Sequence, residues 1–315
     1  MGESTEPELA FHRGERAIQA RLGVERKMSG IGLRAIRDTM PDQHRIFFAQ
    51  LPSMYIATAD SNGDIWASVL HGEPGFVYSL NPNIVRINAK PLPLDPLYGA
   101  VANGADLGLL GIELSTRRRN RLNANVVTVD DSGIELQVKQ SFGNCPKYIQ
   151  RRETTGAKSD QAPIRHDSDK LTPESESILS SADTLFIASG FDDGAGKGNR
   201  GFDVSHRGGQ PGFIQQQDEQ NLWIPDYAGN NFFNTFGNLQ LDPRAGLLVP
   251  DFIQGQLLYL SGEACVHWAE DAALPITGVP RALQFSVRRV VRIEHALPQQ
   301  WVLQEYSPFA ELYQV

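Results

Sequence analysis

The sequence predicts a mainly β chain, α+β by its helix content, in which an N-terminal helical segment precedes two tandem copies of one antiparallel fold. Three observations carry this. First, SVLHGEPGFV (Ser68–Val77) returns 137 residues later as SHRGGQPGFI (Ser205–Ile214), keeping the serine, the second glycine and Pro-Gly-Phe. Second, the ladder continues on both sides: Leu107-Gly108-Leu109-Leu110 returns as Ala245-Gly246-Leu247-Leu248 at a shift of 138, and SMYIATAD (Ser53–Asp60) as TLFIASGF (Thr184–Phe191) at a shift of 131. A shared ladder of about eighty residues is the signature of an internal duplication. Third, from Ser53 onward short apolar runs alternate with turn signals such as Asn62-Gly63 and Ser132-Gly133, the pattern of strands joined by tight turns.

Taken in order, residues 1–50 form the helical segment, because Ala17, Ile18, Leu22, then Leu33, Ile36 and Met40 recur near helical spacing. The pair Gly30 and Gly32 is the expected break within it. Residues 51–152 are the first copy, which includes the alternating strand GIELQVKQSF (Gly133–Phe142). Residues 153–176 are nearly free of large apolar groups and rich in charge, Ser, Thr and Pro, so they read as a linker or exposed excursion. Its end, Thr172-Pro173-Glu174-Ser175, places a capping residue, a proline and an acid before Ile178 and Leu179, a helix start. Residues 177–315 are the second copy, closing with the β-branched run RALQFSVRRVVRIEHAL (Arg281–Leu297).

At 315 residues the chain has room for two domains, each with its own core. A net charge of -8 argues against nucleic acid as the main partner. The absence of a long apolar run or an apolar leader in MGESTEPELAFHRGER argues against a membrane and makes the cytoplasm the expected location. Cys145 and Cys265 lie far apart, and neither they nor the seven histidines have ligand spacing, so no metal is expected.

Differences between the copies point to a site. Arg207 falls opposite Leu70, and Asn230, Asn231, Asn234 and Thr235 fall opposite Pro93, Leu94, Leu97 and Tyr98. The second copy is polar where the first is apolar. Arg207 is a planar cation suited to phosphate oxygens, and Gly208 and Gly209 let backbone amides approach an anion. The alternative is a Gly-rich turn followed by an Asn-rich loop that satisfies its own backbone. A second cluster is STRRRNRLNANV (Ser115–Val126), with four arginines within five positions. On a strand these alternate between faces, so two face a ligand and two face water, or the whole run is a solvated face. Third, SFGNCPKYIQRRE (Ser141–Glu153) brings Asn144 and Lys147 to the end of the first copy. Cys145 is more readily an inert thiol than a nucleophile. His206, beside Arg207, is the histidine to test for proton transfer.

These segments resemble the pyridoxamine 5'-phosphate oxidase-related, FMN-binding split-barrel family, in its long members with two tandem copies. The resemblance is carried by FHRGE (Phe11–Glu15), MPDQHRIFFAQLP (Met40–Pro52), WASVLHGEPGF, LLGIELSTRRRNRLN, SFGNCPKYIQ, SHRGGQPGF, IPDYAGNNFFNTFGNLQLDPRAGLL and RALQFSVRRV. It implies a six-stranded antiparallel split β-barrel in each copy, two tandem barrels in all. It also implies pairing of barrels, within the chain or in a homodimer, with FMN at the seam. By position, Ser205, Arg207, Asn230, Asn231, Asn234 and Thr235 match the phosphate and ribityl side, while Arg118, Asn120, Asn144 and Lys147 face it from the other barrel. The expected activity is an FMN-dependent oxidoreductase taking a hydride from NAD(P)H or a small organic substrate. Some similar proteins continue into a ferredoxin-reductase-like module, so a separate electron-transfer partner is expected here. The rival is a flavin- or haem-binding module without turnover.

Overall fold

The computed structural model describes residues 10–155 and 161–309. Three helices come first: α1 (Arg13–Arg21), α2 (Glu25–Ala35) and α3 (Asp42–Ala49). The start of α1 is fixed by a capping box, with Gly14 N donating to His12 Nδ1 at 3.1 Å and His12 N donating to Glu15 Oε2 at 2.8 Å. The break between α1 and α2 falls at Gly23, which takes a φ of +68°, and not at Gly30 and Gly32, which lie inside α2. The reason for Gly32 is packing: a Cβ there would come within 2.5 Å of the Phe11 ring.

The first sheet contains β1 (Ser53–Ala59), β2 (Ile65–His71), β3 (Val77–Asn81), β4 (Ile84–Ile87), β5 (Asp106–Glu113), β6 (Arg118–Asp130) and β7 (Gly133–Gly143). Gly63 turns the chain from β1 to β2 with a φ of +83°. Between β6 and β7, the Asp130 carboxylate accepts from Ser132 N at 2.8 Å and Gly133 N at 3.0 Å. Next come β8 (Arg151–Thr154), β9 (Ile164–Ser168) and α4 (Pro173–Ser181), whose N-cap Thr172 accepts from Ser175 N. The second sheet is built from β10 (Thr184–Phe191), β11 (Gly201–Gly208), β12 (Gln215–Gln216), β13 (Asn221–Asp226), β14 (Arg244–Asp251), β15 (Gln256–Trp268) and β16 (Arg281–Glu294). The short helix α5 (Asn234–Leu239) is inserted after β13, and β17 (Trp301–Glu305) pairs back with β8.

The spatial orders are β2-β1-β5-β6-β7-β4-β3 and β11-β10-β14-β15-β16-β13-β12. These are the same path strand for strand, and every pair is antiparallel. Neither path closes on itself among the described residues, so the chain is mainly β with several antiparallel sheets. The segment expected to be a linker is not free chain throughout. Within it, β9 pairs with the C-terminal half of β16, Ser168 opposite Val290 through Ile164 opposite Glu294, because β13 covers only the N-terminal half of β16.

The sheets meet along a seam where equivalent residues face each other. Tyr55 on β1 stacks on Phe186 on β10, ring centroids 3.5 Å apart and planes 15° apart; the two are 131 positions apart, the shift of that part of the ladder. The shared glycines explain themselves here. A Cβ on Gly108 would lie 2.5 Å from the carbonyl oxygen of Phe202 on β11, and one on Gly246 would lie 2.4 Å from that of Ile65 on β2. Each glycine lets a strand of the opposite sheet cross at backbone contact. Accordingly, one apolar cluster spans the seam, combining Leu70, Leu109 and Leu122 with Phe186, Val204, Leu248 and Tyr259, while Leu247, Leu258 and Phe285 belong to a core within the second sheet. No helix among the described residues is long and apolar enough to cross a membrane.

Candidate functional site

A cavity of about 140 Å³ lies at this seam. Its first wall comes from β6. Leu122, Ala124 and Val126 are buried in their own sheet's core, so the residues alternating with them turn the other way. That puts Arg119 and Arg121 in the cavity wall, together with Asn144, Cys145, Lys147 and Tyr148 from the chain leaving β7. The second wall comes from β11, with Ser205, His206, Arg207 and Gly208, and is closed by Asp226, the loop through Asn230 and Asn231, and Asn234, Thr235 and Phe236 of α5.

Nine of the eleven residues selected from sequence therefore line one cavity: Ser205, Arg207, Gly208, Asn230, Asn231, Asn234, Thr235, Asn144 and Lys147. Arg118 and Asn120 do not. Arg118 is exposed, with its guanidinium 5.1 Å from the Phe47 ring, and Asn120 lies beside Gly143 on the neighbouring strand. The strand's parity is shifted by one from the sequence assignment, and Arg119 and Arg121 stand in their place. The signal was present in RLNANV, where Leu122, Ala124 and Val126 mark the core face and leave the odd-numbered residues for the seam.

The wall carries four cations, Arg119, Arg121, Lys147 and Arg207, against one carboxylate, Asp226. Arg207 Nη1 donates to Asp226 Oδ1 at 2.7 Å, while Arg281 Nε donates to the other oxygen at 2.9 Å. Arg207 also lies 5.0 Å from the Phe236 ring. Arg121 donates to Asp203 Oδ1 at 2.9 Å and to the Ser205 hydroxyl, which in turn accepts from Thr235 Oγ1 at 3.1 Å. Arg119 donates to the backbone oxygens of Cys145 at 2.7 Å and His206 at 3.3 Å. Burial, then the neighbouring charge of Arg121 and also that of Arg207, pull its pKa down to about 10; an anion placed among these groups relieves that repulsion. Several buried polar atoms here lack a partner: Arg121 Nε, Arg207 Nε, Asn144 Oδ1 and both ring nitrogens of His206.

His206 is not a proton carrier near neutrality. Burial foremost, then the cations Arg119, Arg152 and Arg207, hold its pKa well below the usual value, so it stays neutral. Gly208 has a packing role: a Cβ there would lie 2.1 Å from the carbonyl oxygen of Tyr148, so glycine is what lets the two walls touch. Local backbone is held in an unusual state as well. Of the five non-glycine residues with positive φ among those described, Tyr148, Asn231 and Phe233 line the cavity, at +66°, +63° and +61°. Such strain concentrates where surroundings over-determine a conformation.

The α1 helix reaches the site from behind. Asn234 donates to Glu15 Oε1. Asn238 bridges Asp203 at 3.1 Å and contacts His12 Nε2 at 2.9 Å. Burial, then the charge of Asp203, push the Glu15 pKa up to about 8, so this carboxyl is protonated at neutral pH. The approach of α1 to α5 depends on Gly14 and Gly237, since a Cβ on Gly14 would lie 2.1 Å from the Gly237 oxygen. Sequence reasoning missed Glu15 and Asp226 because each is a lone acid far along the chain from the residues it holds.

No family model and no curated protein matches the chain. Solved structures that resemble it include a Lactobacillus delbrueckii protein classed as a candidate pyridoxamine 5'-phosphate oxidase, at 18% identity and a TM-score of 0.31, covering 39% of this chain and 94% of that one. A Clostridium acetobutylicum protein related to general stress protein 26, of the pyridoxinephosphate oxidase family, resembles it at 13% identity and a TM-score of 0.28, covering 44% of this chain and 95% of that one. An FAD-binding protein of Mesorhizobium loti does so at 12% identity and a TM-score of 0.26, covering 41% of this chain and 98% of that one. Several neighbours in structure are thus of the pyridoxamine 5'-phosphate oxidase type, each matched over less than half of this chain.

Proposed function

We propose that the chain is an FMN-binding oxidoreductase built from two tandem split barrels, the first of which has lost its phosphate site. The observation that supports this most is the cation-lined cavity at the seam, where Arg119 and Arg121 of one sheet confront Arg207 of the other. Four cations against one carboxylate leave the wall positive, suited to a phosphate monoester carrying about two negative charges. The partnerless guanidinium nitrogens of Arg121 and Arg207 are donors of the kind a phosphate uses. At about 140 Å³ the enclosed space suits a phosphate head and the start of a polyol chain. It falls below the ~300 Å³ that encloses a whole drug-sized ligand, so a ring system extends beyond it.

In this reading Arg207, Arg121, Ser205 and Thr235 hold the phosphate. Asn230, Asn231 and Asn234 offer neutral donors and acceptors to the ribityl hydroxyls, and Asn144 and Lys147 close the site from the first sheet. Asp226 sets the Arg207 fork in place without cancelling it, since it is shared with Arg281. FMN, when bound, supplies hydride and electron transfer, and the protein supplies placement and electrostatics. The reductant proposed is NAD(P)H or a small organic compound, with a separate electron-transfer partner, in the cytoplasm, and with a homodimer as the assembly.

The test is the absorbance spectrum of the freshly purified protein, followed by anaerobic addition of NADH or NADPH. Flavin bands that bleach support the reading, and heat-released flavin should be FMN. A flavin that stays oxidised leaves a binding module without turnover, an intense Soret band indicates haem, and a protein that neither carries nor takes up FMN refutes the assignment.

A further inference from the structure

We propose that a second seam cavity is a binding site for an uncharged, mainly apolar small molecule of two-ring size that carries one hydrogen-bond donor. This cavity, of about 260 Å³, is walled by residues of β2, β15, the segment after β4 and the end of β16 with the residues that follow it, among them Val69, His71, Leu94, Leu257, Tyr259 and Ala296. By the internal shifts of 137 and 138, Val69 corresponds to His206, His71 to Gly208, Leu257 to Arg119 and Tyr259 to Arg121. It therefore occupies in one half of the molecule the place that the cationic cavity occupies in the other, with the arginines replaced by apolar and aromatic groups.

The chemistry of the wall selects the ligand. No lysine or arginine lines it, so it offers nothing to a phosphate. Its single carboxylate, Asp95, is already engaged: one oxygen accepts from the Ser68 hydroxyl and from Tyr259 OH at 3.0 Å, and the other from Leu97 N at 2.8 Å. A cationic ligand thus finds no free partner either. Among the described residues of the wall, the one buried side-chain nitrogen or oxygen without a partner is His71 Nε2. Burial pulls the His71 pKa down to about 4, so the ring is neutral, with one nitrogen a donor and the other an acceptor. With the proton on Nδ1, Nε2 is the acceptor and takes a donor from the ligand. An apolar cavity of ~150 Å³ admits benzene and holds water poorly, so the larger space here suits a bicyclic compound.

Indole has these properties, and benzofuran is its near-isostere without the N–H. Calorimetric titration of the full chain with indole should show one saturable site. Ala296→Phe, which fills the cavity, should weaken it by about tenfold or more, a loss of ~1.4 kcal/mol. His71→Ala should weaken indole about fivefold while leaving benzofuran, the weaker ligand, within about twofold. FMN content, measured on the same preparations, should not change, so this site stands or falls independently of the flavin assignment. Should Ala296→Phe fail to fold, Leu94→Trp in the same wall serves instead. The absence of saturable indole binding overturns the proposal, as does wild-type affinity in a filled variant that melts like wild type. Benzofuran binding as tightly as indole overturns the donor requirement.

Discussion

Arg207→Ala separates a phosphate site from a structural turn, and the structure sets its magnitude. In the folded protein the guanidinium donates to Asp226 at 2.7 Å, and its side chain is 17% exposed. Breaking a buried ion pair typically costs about 3–5 kcal/mol when it strands a charge. Here Asp226 keeps Arg281, whose Nη2 stands 2.8 Å away, so the loss of stability should be only about 1.5–3 kcal/mol, that of a hydrogen bond to a charged group. For ligand binding, the same bond to a phosphate is worth about 1.5–3 kcal/mol. Because Asp226 already offsets part of the charge, about 2 kcal/mol is expected, close to thirtyfold in dissociation constant. The assay is titration of flavin-stripped protein with FMN, followed by quenching of flavin fluorescence, with riboflavin as the control that lacks the phosphate. FMN affinity should fall and riboflavin affinity should stay. An unchanged FMN constant would refute the reasoning, and equal losses for both ligands would show a collapsed pocket instead of a missing phosphate contact.

The parity of β6 predicts that Arg118→Ala leaves FMN affinity within about twofold, whereas Arg119→Ala and Arg121→Ala each lower it about tenfold or more; the reverse order would place the wrong face at the seam. Gly246→Val and Gly108→Val, which drive a side chain into backbone of the opposite sheet, should each destabilise by about 3 kcal/mol or more in thermal melts, and an unchanged melting temperature would show that the sheets are not in contact there. Glu15 has a folded pKa raised from 4.5 to about 8, so its contribution to stability is full below pH 4.5 and is lost as pH rises toward 8. Glu15→Gln should remove a slope of up to about 1.4 kcal/mol per pH unit in that window, and a wild-type unfolding profile in the variant would count against a buried, protonated Glu15. Flavin released by heat should amount to one FMN per chain, since of the two seam cavities described, one is lined by cations and the other by none; a ratio near two would sink that asymmetry.

Much of the architecture is legible in local pattern. Thr172 followed by Pro173 marks the start of α4, Asn62-Gly63 and Ser132-Gly133 mark hairpin turns, and the shared Gly108 and Gly246 flag positions where no side chain fits. Other features were not legible. The helical segment breaks at Gly23 because that residue alone among the described glycines of the segment takes a left-handed conformation, while Gly32 serves packing. The polar stretch before α4 holds β9 because an uncovered half of β16 offers it hydrogen-bond partners. Arg207 read as a cation suited to phosphate oxygens, and its carboxylate partner comes from β13 and the competing guanidinium from β16.

What the sequence by itself determined is a mainly β chain, several of its strands and turns and the likeness of two of its stretches, because these follow from alternation, turn chemistry and φ preferences that act over a few residues. It also showed that the second of those stretches is polar where the first is apolar. Only the tertiary structure decided which residues confront each other across the seam. Arg121 meets Asp203 across 82 positions, and Asn234 meets Glu15 across 219. Such meetings depend on how two sheets bury their apolar faces against one another. That burial is non-directional and roughly proportional to area, so it leaves no short-range mark on the residues it brings together.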